Sequence, residues 1–246
     1  MKRWLASHIG IVFGTLAAPL WALTPQQFSG TAYAMDDNRK LYQEEHTIEG
    51  RCDMGTLIPR NHRVTYRSPD GKQFALKTLD YAISPQRPSF EKTDERFQER
   101  MQVTNKADRV AQISWDGPGN SPIQRFEVNL GKQTVIDAGF DAFLRTHLGA
   151  LREGSVLSFE FLGPTRGETF PFEAQQIDPP GNLEGTVAIR IRPASFLARF
   201  FVDPIILGYS AQGLLTDYMG LTNIRRDNDS FYQAHIRYQH PNPPCR

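Results

Sequence analysis

The sequence predicts a mainly β protein: a curved antiparallel sheet or half-open β-barrel with one helix packed on it. Three observations carry this. Short runs of alternating polar and apolar residues recur along the chain, separated by clusters of Pro, Gly, Asn and Asp. A single segment, Phe140 to Leu151, has helical spacing instead, with apolar residues at 140, 143, 144, 148 and 151. No internal repeat, low-complexity tract or linker divides the chain, and its 246 residues are a length that one β domain tolerates.

The elements follow in order. Residues 28–36 and 39–48 flank Asp36-Asp37-Asn38, a hairpin signal, and Tyr42, His46 and Ile48 share one face of the second arm. Residues 62–67 and 72–81 flank Ser68-Pro69-Asp70-Gly71, the strongest turn signal in the chain. Residues 97–104 and 109–115 flank Asn105 to Asp108, and 123–130 and 133–137 flank Gly131-Lys132, each pair reading as a hairpin. Pro85 to Glu95 reads as the longest irregular stretch. The helix has Asp141 in its first turn and Gly154 to end it, and should lay one face on a sheet. Strands then resume over 155–162, 167–177, 184–192, 205–209, 214–224 and 230–239, with Phe196 to Val202 as a short helix or apolar loop. Asn228-Asp229-Ser230 matches a glycosylation acceptor but reads as a turn.

The first 22 residues read as an export signal. Lys2 and Arg3 form a positive start, Ile9 to Ala18 is an apolar run, and Leu20-Trp21-Ala22 is a cleavage tripeptide. Cleavage leaves residues 23–246 as a single β-rich domain with a Pro-rich tail, residues 240–246. No later run approaches the length of a transmembrane helix, so no transmembrane span is expected after cleavage, and the expected location is the bacterial periplasm. In that oxidising compartment Cys52 and Cys245 are expected to form a disulfide that pins the tail.

Composition narrows the function. The chain carries 28 basic and 27 acidic residues, which excludes a nucleic-acid partner bound by bulk charge. Its aromatic content, 11%, excludes a disordered chain. Two cysteines and the absence of a His-Glu-x-x-His pattern give no metal site and no cofactor. His46, His62, His147 and His235 stand alone and read as satisfied surface or sheet histidines, His147 beside the apolar stripe of the helix. Gly208 to Gly213 misses a nucleophile elbow by one residue, and a strand, not a helix, follows its Ser210. Asp203 and His235 are conceivable triad partners for that serine without any spacing that singles them out. No catalytic residue is therefore assigned. The apolar clusters are more suggestive: Phe140, Phe143 and Leu144 on the helix, and Phe196, Phe200 and Phe201 in a segment that would be its rim or lid, could line a cavity between helix and sheet, although core packing is their ordinary use.

Val64 to Tyr81, Gly139 to Arg145 and Tyr218 to Ile224 carry patterns of turns and strand faces that resemble a group of bacterial periplasmic proteins with a domain of unknown function. The strand-rich layout with an internal helix is also distantly similar to the half-open barrels of lipoprotein carriers, from which it departs in having one helix; no binding residue is carried over. What the resemblance implies is a secreted, non-enzymatic cell-envelope protein that binds a lipid or apolar ligand in a half-barrel. Two other readings stand beside it: an envelope protein that acts structurally or through a protein partner, and, less favoured, a hydrolase.

Overall fold

The computed structural model describes residues 24–53, 56–119, 121–197, 199, 202–241 and 245. Residues 1–22, read as an export signal, lie outside the described residues. Fifteen strands and one helix follow in the order β1 (Thr24–Ala34), β2 (Lys40–Asp53), β3 (Thr56–Arg67), β4 (Gln73–Asp80), β5 (Ser89–Asp94), β6 (Glu99–Lys106), β7 (Val110–Asp116), β8 (Gln124–Asn129), β9 (Thr134–Val135), α1 (Gly139–Arg152), β10 (Val156–Gly163), β11 (Glu168–Ile177), β12 (Val187–Pro193), β13 (Ile205–Tyr209), β14 (Leu215–Arg225) and β15 (Phe231–Gln239).

All fifteen strands belong to one sheet, ordered β8-β7-β6-β5-β4-β3-β2-β1-β15-β14-β13-β12-β11-β10-β9. The chain therefore lays down half a sheet as an antiparallel meander from β1 to β8, passes to the other edge at β9, runs through α1 to β10 beside it, and returns until β15 pairs with β1. The edge strands β8 and β9 are neighbours in sequence. Flat, fifteen strands spaced by about 4.8 Å would separate the edges by nearly 70 Å. The connection from Asn129 to Thr134 reaches at most about 17 Å. The sheet must roll up, and β8 and β9 close no ladder between them, so it stays an open, curved sheet rather than a closed barrel. At the seam the β10–β11 turn leans on β8: Gly167, at φ +65°, sits where any Cβ would overlap the Phe126 ring.

Three corrections to the sequence reading emerge. The segment after Gly131-Lys132 does not fold back on β8; β9 runs parallel to β10 instead. Its start is drawn away by the β4–β5 connection, where Arg87 donates to the carbonyl of Gly131 and Gln86 accepts from the Ile136 N–H. The stretch read as irregular contains β5, paired on both sides. Its inward residues are Phe90, Lys92 and Asp94, so buried charges erase the alternation that marks a strand. The segment between the expected strands 39–48 and 62–67, read as a polar loop around Cys52, is also strand: β2 runs on to Asp53 and β3 begins at Thr56, with Cys52 opposite Leu57 beyond a register shift at Glu49/Gly50, while α1 extends the expected 140–151 by one residue at each end, with Gly154 in the left-handed region just beyond it.

The core has two parts. One lies inside β1–β8, around Tyr42, Val64, Tyr66, Phe74, Val103 and Ile113. The other forms where α1 packs its apolar stripe, Phe143, Leu144, Leu148 and Leu151, on Phe159, Ala174, Ile189, Leu207 and Tyr209 of β10–β13. The helix is amphipathic, as its spacing requires. A Cys52–Cys245 disulfide, Cα–Cα 5.4 Å, ties the C-terminal end to β2. Among the described residues no helix is long and apolar enough to cross a membrane.

Candidate functional site

A partly uncovered aromatic group lies where α1 meets β10 and β11. Period-two alternation puts Phe159 and Phe161 of β10 inward, opposite Phe172 and Phe170 of β11. Phe172 is in turn opposite Pro193 of β12. From the helix, Phe140 contacts Phe159 (5.6 Å between ring centroids) and Phe161 (6.2 Å), and Phe143 contacts Phe159 (5.3 Å). Phe172 completes the group at 6.1 Å from Phe159 and 6.4 Å from Phe161. Phe143 and Phe159 are buried, whereas Phe140, Phe161 and Phe172 are only half-buried. The aromatic group is thus sealed at its base and partly uncovered toward the rim that carries the β10–β11 and β12–β13 connections.

Of the residues the sequence singled out, Leu144 is completely buried and belongs to the packed core, Phe143 joins it at 6% exposure, and Phe140 stands at the uncovered margin. Phe196 lies in the β12–β13 connection and is 68% exposed beside Leu197 at 71%. Phe200 and Phe201 lie outside the described residues. Phe159 and Phe161, the ring partners of Phe140, and Phe172, which touches both of them, were not singled out. Their alternation was legible, but which face meets the helix depends on a register that no local signal fixes.

Two polar clusters lie inside the other half. In the first, Lys92 and Arg225 both pair with Glu99, at 3.1 and 3.0 Å, and the Trp115 indole N–H donates to Glu99 at 3.1 Å. Lys92 also donates to the Asn223 carbonyl at 2.8 Å, and Lys77 pairs with Asp137 at 2.8 Å. Arg96 bridges Asp94 and the Arg225 carbonyl. Burial pulls the Lys92 ammonium below its usual range, against the pull of Glu99. Burial alone would raise Glu99, but Lys92 and Arg225 override it and hold its carboxyl below the usual carboxylate range. The cluster ties β14 to β5, β6 and β7 across the interior.

The second cluster joins histidines that read as isolated in the sequence. Glu44 accepts from His46 Nε2 at 3.0 Å and from the Tyr238 hydroxyl at 3.2 Å, and His46 Nδ1 meets His62 Nε2 at 3.0 Å. Tyr238 reaches Glu44 by crossing Gly30, which is opposite both; a Cβ at Gly30 would fall 2.7 Å from the tyrosine ring. Phe28 stacks on His46 at 4.2 Å and on His240 at 4.7 Å. Burial, aided by His46 and Lys77, holds His62 well below the ordinary histidine value, and burial lowers His240 as well. An N–N hydrogen bond needs one lone pair, so the His46–His62 pair cannot accept a full set of protons without breaking. The unfolded chain protonates His62 and His240 near pH 6.5 and the folded one only at lower pH. Stability is therefore present in full above that pH and declines as pH falls below it. For His62 the expected slope is at most about 1.4 kcal/mol per pH unit, measured by urea unfolding between neutral pH and pH 5. His62→Gln should flatten that slope; an unchanged slope would assign it to other groups.

The remaining candidates are structural. Asp217 pairs with His235 at 2.8 Å and accepts the N–H groups of Glu184 and Gly185, pinning the β11–β12 connection over β13 and β14. Asp203 contacts Gln233 instead, and the Ser210 hydroxyl accepts from the Leu214 N–H within a hairpin turn, so Ser210, Asp203 and His235 form no triad. His147 donates from Nδ1 to the Phe143 carbonyl one turn back in the helix, at 2.8 Å. Among the described residues no group of three or more His, Cys, Asp or Glu is arranged to hold a metal ion.

No protein-family model and no curated protein matches the sequence. Among solved structures, the chain is similar to a β-barrel-like protein of domain of unknown function DUF1849 from Brucella abortus. That likeness has 10% identity and a TM-score of 0.46, over 89% of this chain and 95% of the other.

Proposed function

We propose that this is an exported cell-envelope protein that holds an apolar or lipid-like ligand against the aromatic group of α1, β10 and β11. One observation carries the reading: Phe140, Phe161 and Phe172 converge on a buried base yet keep part of their rings uncovered toward one rim. Water on such a surface is replaced favourably by an acyl or other apolar chain, at about 25 cal/mol per Å² covered. The exposed Phe196 and Leu197 at the same rim extend the apolar path outward. The periplasm is the proposed compartment, and the Cys52–Cys245 disulfide is compatible with its oxidising chemistry.

The test is native mass spectrometry of protein purified from the periplasm without detergent, followed by solvent extraction, with a fluorescent fatty-acyl probe as the binding assay. A stoichiometric apolar adduct, and probe binding weakened roughly tenfold by Phe161→Ser with Phe172→Ser, is the expected result. A clean apo mass with no probe binding would overturn the reading and leave an envelope protein that works through a protein partner.

A further inference from the structure

The buried histidines form a column that ends where the two parts of the core meet. Phe28, opposite His46 in the β1–β2 ladder, stacks on His46 at 4.2 Å and on His240 at 4.7 Å. His46 in turn meets His62 through ring nitrogens 3.0 Å apart. His240 stands one step past the Ser29–Gln239 pair, just beyond β15, and its Nε2 donates to the Leu215 carbonyl at 2.7 Å. Leu215 and its neighbour Tyr218 on β14 pack against both parts of the core. The column therefore runs from β3 through β2 and β1 to the junction of the α1 half with the β1–β8 half.

The charges around the column leave room for one added proton at the His46–His62 pair. On β4, Lys77 acts on His62 and is paired with Asp137 at 2.8 Å. On α1, Asp141 and Arg145 act on His240 and are paired with each other at 3.1 Å. Glu44 on β2 is the carboxylate left to balance the pair. It accepts from His46 Nε2 at 3.0 Å and from the Tyr238 hydroxyl of β15 at 3.2 Å, and the buried hydroxyls of Tyr42, Tyr66 and Tyr218 share its field. One proton added to the pair is balanced by Glu44 and still leaves a lone pair for the N–N bond. A second proton finds neither. Both facing nitrogens would then carry hydrogen, and His62 Nδ1 is buried with no hydrogen-bond partner among the described residues. Two like charges at that distance in a buried site disfavour each other strongly, so the second proton enters only as the rings part. His46 then leaves the face of Phe28, and His240 loses the platform on which it is stacked. Burial is what keeps His240 neutral, so on reaching water it takes up a proton of its own.

We propose that the column is an acid-operated catch: closed at neutral pH, it fastens His240 and the Leu215 junction to β1–β3, and on acidification it opens locally while the strands stay paired. The Cys52–Cys245 bridge keeps the freed end tethered, so closure on return to neutral pH is rapid and complete. Opening takes up two protons, one at the His46–His62 pair and one at His240. Below about pH 6.5 its equilibrium constant should therefore rise up to about a hundredfold per pH unit, against about tenfold for a single proton. The catch is independent of the apolar-ligand reading, and its test needs no ligand.

That test is amide hydrogen exchange of the disulfide-bonded protein from neutral pH to about pH 5, corrected for the intrinsic exchange rate. Opening of the segments that contain Phe28, Leu215 and His240 should rise more than about tenfold per pH unit, while the β6–β7 hairpin keeps its protection. His62→Gln with His240→Gln leaves an amide donor at both positions and no titrating ring, and should abolish the rise. In the unaltered protein the ring resonances of His62 and His240 should change with one common midpoint that matches the opening. Protection lost equally in all strands, no rise in the three segments, or separate midpoints for the two rings would each overturn the inference.

Discussion

Glu99→Ala is expected to destabilise the fold by about 3–5 kcal/mol, the cost of breaking a buried ion pair by removing one partner. Glu99 is 3% exposed and holds two cations, Lys92 and Arg225, which are 6% and 4% exposed. Removing its carboxylate leaves both charges buried without their counterion, and leaves the Trp115 N–H without its acceptor. Domains are stable by only about 5–15 kcal/mol, so the loss should be visible as a large drop in the urea midpoint. The cause can be separated from simple loss of packing. Replacing the group together, with Lys92→Met, Glu99→Leu and Arg225→Met, removes the charges along with their need for partners and should cost far less than Glu99→Ala alone. If the triple variant is as unstable as the single one, the network contributes attraction beyond its own desolvation. Glu99 also sets a pH dependence. Its carboxyl is held below the usual range in the folded state. The stability it confers is thus present above the unfolded carboxylate range and is lost as pH falls through the folded value.

The same network explains what the sequence concealed. Hairpin turns such as Ser68 to Gly71 and the helix over Phe140 to Leu151 announce themselves through local chemistry, and the structure places both as expected. β5 does not, because two of its three inward residues are charged and only tertiary partners make them tolerable. The false hairpin at Gly131-Lys132 fails for a similar reason. The turn signal is real, with the Thr134 N–H bonded to the Gly131 carbonyl, but Gln86 and Arg87 from a distant connection decide where the chain goes next. Phe140 and Phe143 were legible as an apolar helix face; their ring partners Phe159 and Phe161, and Phe172 against those two, needed the sheet register. The histidine cluster was hidden in plain alternation. Residues 42, 44 and 46 share the inner face of β2, and 62, 64 and 66 that of β3, so His46 and His62 meet once the two strands pair.

Loss of the Cys52–Cys245 bridge should have an effect of comparable size. The bridged residues are 193 apart in sequence, and chain-entropy reasoning gives roughly 5 kcal/mol as the upper figure for a loop of that length. The folded state contributes little to this number, because β1 and β15 are already paired in the sheet and bring the chain ends together without the bridge. The stabilisation therefore acts mainly through the unfolded chain, which loses freedom when its ends are tied. The expected outcome is specific: a reductant lowers the unfolding midpoint of the native protein, while Cys52→Ser with Cys245→Ser starts at the lower midpoint and ignores the reductant. The variant should still fold, since no strand ladder depends on the bridge, and Phe28 should keep its stacking partner His46. Its partner His240 lies beyond β15 and is held by the Leu215 carbonyl at 2.7 Å as well as by Phe28. Histidine resonances that stay unchanged at His46 but shift at His240 on reduction would show that the bridge orders the end of the chain locally. Equal midpoints with and without reductant would mean that residual structure already ties the unfolded ends.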